Sequence, residues 1–148
     1  MTSKQDKLKA AIMEEFIPRF ATDAKLIYSN DTAQKTYVLD EAAFAKLGIR
    51  ISEYKKFPSV ILYNSKKKWL FLIEAMNNTN NLISPKRHIE LEKLFKQCKA
   101  GKIYVTAFLS FANYAKHPDN IAWETEVWIA EMPSHMIHFN GDKFLGPR

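Results

Sequence analysis

Phe57-Pro58-Ser59-Val60-Ile61-Leu62-Tyr63, a polar turn over 64–68, and Trp69-Leu70-Phe71-Leu72-Ile73-Glu74-Ala75-Met76 read as one apolar β-hairpin. Ser84-Pro85-Lys86-Arg87 follows shortly after. One acid, Glu74, interrupts a run otherwise built for burial. A buried carboxylate is costly unless something pairs with it, and a divalent metal or a nearby lysine would do so.

Working outward from the hairpin, the segment 5–21 carries Leu8, Ala11, Ile12, Phe16 and Phe20 at near-helical spacing, with Pro18 as a late breaker or kink. It predicts an amphipathic lead-in helix. Leu26-Ile27-Tyr28 predicts a short strand ending in the turn Ser29-Asn30-Asp31-Thr32. Asp40 is placed to cap a helix over Glu41 to Leu47, which Gly48 stops. Asn77 to Asn81 has turn chemistry without periodicity and reads as a loop. Beyond it, Ser84 caps a helix with Pro85 at its first position, and Leu91, Leu94, Phe95 and Cys98 form its apolar stripe before Gly101 ends it. Ile103 to Phe108 predicts a buried strand, 110–115 a helical piece, and Thr125 to Ala130 and Met136 to Phe139 further extended segments. Helix, hairpin, helix and strand in that order predict an α/β fold with a mixed sheet flanked by helices.

With 148 residues the chain is expected to form a single domain over 1–148, long enough to bury roughly 70% of its unfolded surface. The composition, 47% hydrophobic and 13% aromatic, excludes a disordered chain. A net charge of +6 favours a polyanionic partner without specifying one. The single cysteine, Cys98, excludes an internal disulfide, and no charged-then-apolar leader opens the sequence, so a cytoplasmic setting is expected. Its longest apolar stretch, Trp69 to Ile73, is far shorter than the ~20 residues of a membrane span.

Many metal-dependent nucleases place an Asp directly after a Pro and a second acid one hairpin later. Pro58 and the fourteen residues between Ser59 and Glu74 supply that frame, with Ser59 where the Asp would stand. Phosphodiester hydrolysis needs a metal to polarise the phosphate and activate water, and a cation to offset developing charge. Glu74 is a candidate metal ligand, with the carbonyl of Ala75 or Met76 as another. Met76 occupies the place of the usual lysine two residues after the acid, and Lys86 is the nearest candidate to supply the charge. Spacing alone leaves open the plainer alternative, in which Glu74 ends a strand at the solvent edge and Lys86 is a surface charge. Lys66-Lys67-Lys68 reads as a solvated hairpin tip or a phosphate contact. His135 with His138 lacks the further ligands of a zinc site, Glu124 with Glu126 fits a solvated strand face, and Asp31 with Lys35 fits a capped turn.

Longer motifs carry a resemblance. Ile27-Tyr28-Ser29-Asn30-Asp31-Thr32-Ala33-Gln34-Lys35, Lys46-Leu47-Gly48-Ile49, Leu70 to Ala75, Ser84 to Arg87, Tyr104-Val105-Thr106-Ala107-Phe108, the run Ile121 to Ala130, and His138 to Pro147 resemble the catalytic domain of the BsuBI/PstI family of type II restriction endonucleases. The likeness spans roughly residues 24–147. It implies a PD-(D/E)xK restriction-endonuclease-like core, Mg²⁺-dependent cleavage of double-stranded DNA at a short palindrome, and a homodimer whose two-fold axis matches that of the site. Carried over by position, Glu74 becomes the metal ligand, with Ser59 at the place of the expected acid in the catalytic site; Lys86, by its place at the start of the helix, is expected to serve as the migrated lysine, and Lys66, Lys67, Lys68 and Arg87 are expected to contact DNA. Members of the family are about twice this length, with an N-terminal helical region ahead of the catalytic domain; here the lead-in over 1–23 is expected to be all that remains of it. Ser59 departs from the family's pattern, and a hydroxyl brings no charge to Mg²⁺, so the activity of this chain is expected to be reduced or lost. The alternative expectation is a non-catalytic DNA-binding or assembly module of the same fold.

Overall fold

The computed structural model describes residues 4–30, 38–76 and 82–141. Its hairpin is built by β3 (Val60–Asn64) and β4 (Trp69–Ala75), antiparallel from Val60 opposite Ile73 to Asn64 opposite Trp69. Asn64 makes the turn possible: its Oδ1 accepts from the N–H groups of Lys66 and Lys67 at 3.0 and 3.1 Å, and Lys68 closes it in a left-handed conformation at φ 58°. The residue assigned to the turn by sequence is thus also the last of its strand.

Around this hairpin stand β1 (Lys25–Ser29), β2 (Val38–Leu39), β5 (Gly101–Phe108), β6 (Thr125–Ile129) and β7 (Met136–Phe139), in the order β2-β1-β3-β4-β5-β6-β7. Pairings β4/β5 and β5/β6 are parallel and the rest antiparallel, so the sheet is mixed, as expected. A parallel pair needs a crossover. Between β4 and β5 it contains α4 (Pro85–Leu94), capped by Ser84 with Pro85 in its first turn. The other helices are α1 (Lys4–Ala11), α2 (Ile17–Phe20), α3 (Glu41–Leu47) and the short α5 (Phe111–Tyr114). Asp40 Oδ1 accepts from Ala43 N–H at 3.1 Å, and Gly48 at φ 75° terminates α3, as its sequence predicts.

Alternation along β4 assigns its two faces. Leu70 and Leu72 pack with Ile61, Phe44, Phe57, Leu91 and Phe95 under α3 and α4, while Phe71, Ile73 and Ala75 pack with Leu8, Ile12, Phe16 and Trp128 under the lead-in helix. Both faces are covered, so β4 is apolar at nearly every position.

Three local expectations need correction. Of the two roles open to Pro18, a break is ruled out and a local irregularity is found: a π-helical turn (Ile12–Phe16) joins α1 to α2, with Ile17 N–H reaching Ile12 O. The wider turn absorbs the donor that proline lacks. Helix α4 ends at Leu94 instead of running to Gly101, and Phe95 and Cys98 reach the core from the turn that follows. A strand, β2, and a 3₁₀ segment (Ile51–Lys56) have no periodicity long enough to announce them. The Asn77–Asn81 loop and the Asp31–Lys35 turn lie outside the described residues.

Candidate active site

One residue beyond the last ladder pair, the β3/β4 register brings Ser59 opposite Glu74, and the β4/β5 register sets Glu74 beside Thr106. By alternation these three residues share the face of Leu72 and Tyr104, forming a polar row across an apolar sheet. All three are buried, Glu74 to 7% exposure. Each has a defined partner. Ser59 N–H donates to Glu74 Oε1 at 2.9 Å, and Ser59 Oγ accepts from Ala75 N–H at 3.0 Å. Thr106 Oγ1 accepts from Ile83 N–H at 3.1 Å, fastening the chain that leads into α4.

Helix α4 then delivers a cation. Ser84 Oγ accepts from Arg87 N–H at 3.2 Å, which fixes the first turn. Side chains in a helix lean towards its N-terminus, and the guanidinium of Arg87 accordingly reaches back over the sheet. Its Nε donates to Glu74 Oε2 at 3.2 Å, Nη1 to Glu90 Oε1 at 3.1 Å and Nη2 to Lys56 O at 2.8 Å. On the solvent side lies a groove of about 250 Å³ lined by Glu53, Lys56, Arg87, Glu90, Lys93 and Leu94. Burial pushes the Glu74 carboxyl above the usual carboxylate range; Arg87 and the Ser59 hydrogen bonds oppose that rise without cancelling it.

The structure therefore joins Ser59 and Glu74, as the hairpin spacing predicted, and excludes the alternative of Glu74 as a solvent-edge residue. Lys86 is exposed, and it is its neighbour Arg87, expected to contact DNA, that meets Glu74. Lys66, Lys67 and Lys68 sit at the opposite end of the hairpin, before Trp69, which is itself five residues along β4 from Glu74, or about 17 Å. There Lys66 pairs with Asp23 at 3.5 Å and Lys67 lies over the Trp69 ring. His138 pairs across the β6/β7 ladder with Glu126, which gives both a local role. Thr106 had no sequence signal beyond its place in a strand. Lys9 is a second residue that spacing did not single out. It is buried in the lead-in helix and its Nζ donates to Asn30 O at 2.6 Å, while Asn30 N–H donates to Ser59 O at 2.9 Å.

The residues present do not complete a divalent-metal site. Mg²⁺ asks for near-octahedral oxygen ligands at ~2.0–2.1 Å, commonly with one or two carboxylates. Among the described residues Glu74 is the buried carboxylate of the row, and both its oxygens already accept from protein donors. Among the described residues no three His, Cys, Asp or Glu converge.

The fold belongs to the restriction-endonuclease-like α/β class. Superposition on the structure of SdaI restriction endonuclease gives a TM-score of 0.88 at 37% identity, covering 97% of this chain and 45% of that one. The BsuBI/PstI restriction endonuclease domain matches residues 1–142, and the chain belongs to that family. Its lead-in helix lies within the match, which reaches further towards the N-terminus than the residues 24–147 on which the motifs rest. The chain is 46% identical to type II restriction enzyme BsuBI of Bacillus subtilis over 144 residues, covering 97% of this chain and 45% of that enzyme. To type II restriction enzyme AplI of Arthrospira platensis it is 36% identical over 147 residues, covering 95% and 45%. The chain thus spans about 45% of the length of these relatives.

Proposed function

We propose that this chain is the catalytic portion of a type II restriction endonuclease that hydrolyses double-stranded DNA at a short palindromic site. It acts as a homodimer in the cytoplasm, with Mg²⁺ as the family's cofactor and with its own activity reduced or lost through Ser59. The observation that carries this reading is the polar row: position 59 stands opposite Glu74 at the open end of a hairpin otherwise apolar on both faces. A fold does not maintain a buried acid there for stability, since an apolar residue would cost less. Family membership gives the reaction class. Two-fold symmetry in the enzyme would match two-fold symmetry in the DNA. The net charge of +6 favours approach to a polyanion, and a single buried free cysteine suits a reducing compartment. Among the described residues no helix is long and apolar enough to cross a membrane.

Supercoiled-plasmid cleavage tests the reading. Ser59→Asp is expected to give discrete fragments with Mg²⁺ and none in EDTA, and Glu74→Ala in that background should abolish them. A folded Ser59→Asp protein that never cuts, or cutting that survives Glu74→Ala, would sink it. The pairing of Glu74 with Arg87 favours the second reading, a DNA-binding or assembly module of the same fold. That protein would hold duplex DNA equally well in chelator.

A further inference from the structure

We propose that Arg87 is the resident cation of Glu74 and that the site of this chain, as it stands, takes no divalent metal. The inference deepens the nuclease reading and rests on it only for the identity of the site. All three guanidinium nitrogens of Arg87 are engaged by acceptors from three different elements: Glu74 on β4, Glu90 on α4 and the carbonyl of Lys56 at the end of the 3₁₀ segment. Planar Arg holds such a fork at smaller entropic cost than a lysine would. On the acid side, Oε1 is taken by the Ser59 N–H and Oε2 by Arg87 Nε, so Glu74 offers no uncommitted oxygen.

Charge decides which cation stays. Glu74 is the buried charge of the row and the half-buried Arg87 guanidinium balances it, while Ser59 contributes none. A divalent ion on Glu74 Oε2, at ~2.0–2.1 Å, would sit against a guanidinium only 3.2 Å from the same oxygen. It would have to expel Arg87 from three hydrogen bonds or endure its repulsion, and among the described residues the other acid on that guanidinium, Glu90, is already paired with it. An acid at position 59 would reverse the balance: the site would then carry net negative charge, and its own hairpin would supply the second carboxylate. With a serine at position 59, Arg87 balances Glu74, which accounts for a buried glutamate here without a second carboxylate.

Metal binding, read directly and apart from cleavage, tests this. The full chain, its Glu74→Gln variant and Ser59→Asp would each be titrated with Mn²⁺ while free Mn²⁺ is followed by electron paramagnetic resonance. The chain itself should show no saturable site that Glu74→Gln removes, and Ser59→Asp should gain one, at least tenfold tighter than any residual Mn²⁺ binding of the unaltered chain. A Glu74-dependent Mn²⁺ site in the unaltered chain overturns the proposal, as does a folded Ser59→Asp protein without one. Should Ser59→Asp fail to fold, ¹⁵N spectra of the unaltered chain still decide. The Arg87 Nε–H resonance should be protected from exchange, lost in Glu74→Gln and unmoved by ~10 mM Mg²⁺, about tenfold above the weakest calcium-module dissociation constants; displacement by Mg²⁺ refutes a resident Arg87. Ser59→Asp that binds Mn²⁺ yet cleaves no DNA would leave this inference standing and remove the nuclease reading instead.

Discussion

At the scale of single residues, the site turns on what stands opposite Glu74. Ser59 serves the acid through its backbone N–H and the next strand residue through its hydroxyl, so it is a good structural neighbour and a poor metal ligand. Replacing it by Asp sets a second carboxylate against Glu74 in a buried row. Without metal, Ser59→Asp should lower stability by about 1–3 kcal/mol, the usual range for a buried charge conflict, and Mg²⁺ should restore part of it. Thermal melting in EDTA and in MgCl₂ measures both, and equal melting temperatures in the two buffers would contradict the assignment. Glu74→Ala strands the Ser59 N–H and one guanidinium nitrogen. Because the Arg87 side chain keeps a fifth of its surface in water and two other acceptors, the cost should fall below the ~3–5 kcal/mol of a fully buried broken pair. Urea unfolding of the two proteins checks it.

At the scale of elements, caps decide where side chains point. Ser84 fixes the first turn of α4, and Ser84→Ala should cost about 1 kcal/mol and loosen Arg87 from Glu74. Its signature is a stability loss that shrinks when Arg87 is already replaced, measured as a double-mutant cycle. The cap of α3 makes a pH prediction. The hydrogen bond from Lys25, with that from Ala43 N–H, holds the Asp40 carboxyl below its ordinary 3.8. A carboxyl depressed by folding stabilises the protein above that ordinary value, and its contribution is lost as pH falls through the folded one. Asp40→Asn keeps an acceptor that does not titrate, so its stability should fall less steeply below about pH 4 than that of the unaltered chain, as acid titration of the circular dichroism signal would record.

For the whole molecule, the covering of both sheet faces matters most. Phe16 from the π-helical turn meets Phe71 and Trp128 edge-on at 6.1 and 5.5 Å, so the lead-in helix is part of the core. Phe16→Ala should cost about 3–5 kcal/mol. Lys9 adds a polar tie from the same helix, through Asn30, to the carbonyl of Ser59. Trimming the lead-in helix should therefore expose the apolar face of β4 and disturb the site together, visible as dye binding and loss of cooperative melting. A trimmed chain that melts like the intact one would show that the helix is dispensable.

The sequence by itself determined the elements whose signals are local. Apolar runs with a polar break gave the hairpin, Asp40 and Gly48 bounded α3, and Ser84-Pro85 opened α4, because caps, turns and periodicity act within a few residues. It also placed position 59 opposite Glu74, since the hairpin's register follows from its turn. Only the tertiary structure decided what Glu74 meets. Whether Lys86 or Arg87 reaches it depends on the rotation of α4 over the sheet, a helix stepping about 100° per residue, and that rotation is set by Leu91 packing in the core with Leu70, Leu72 and Tyr104. Thr106, the carbonyl of Lys56 and the Lys9–Asn30 link join the site across long stretches of chain, where no spacing rule operates and packing alone brings the groups together.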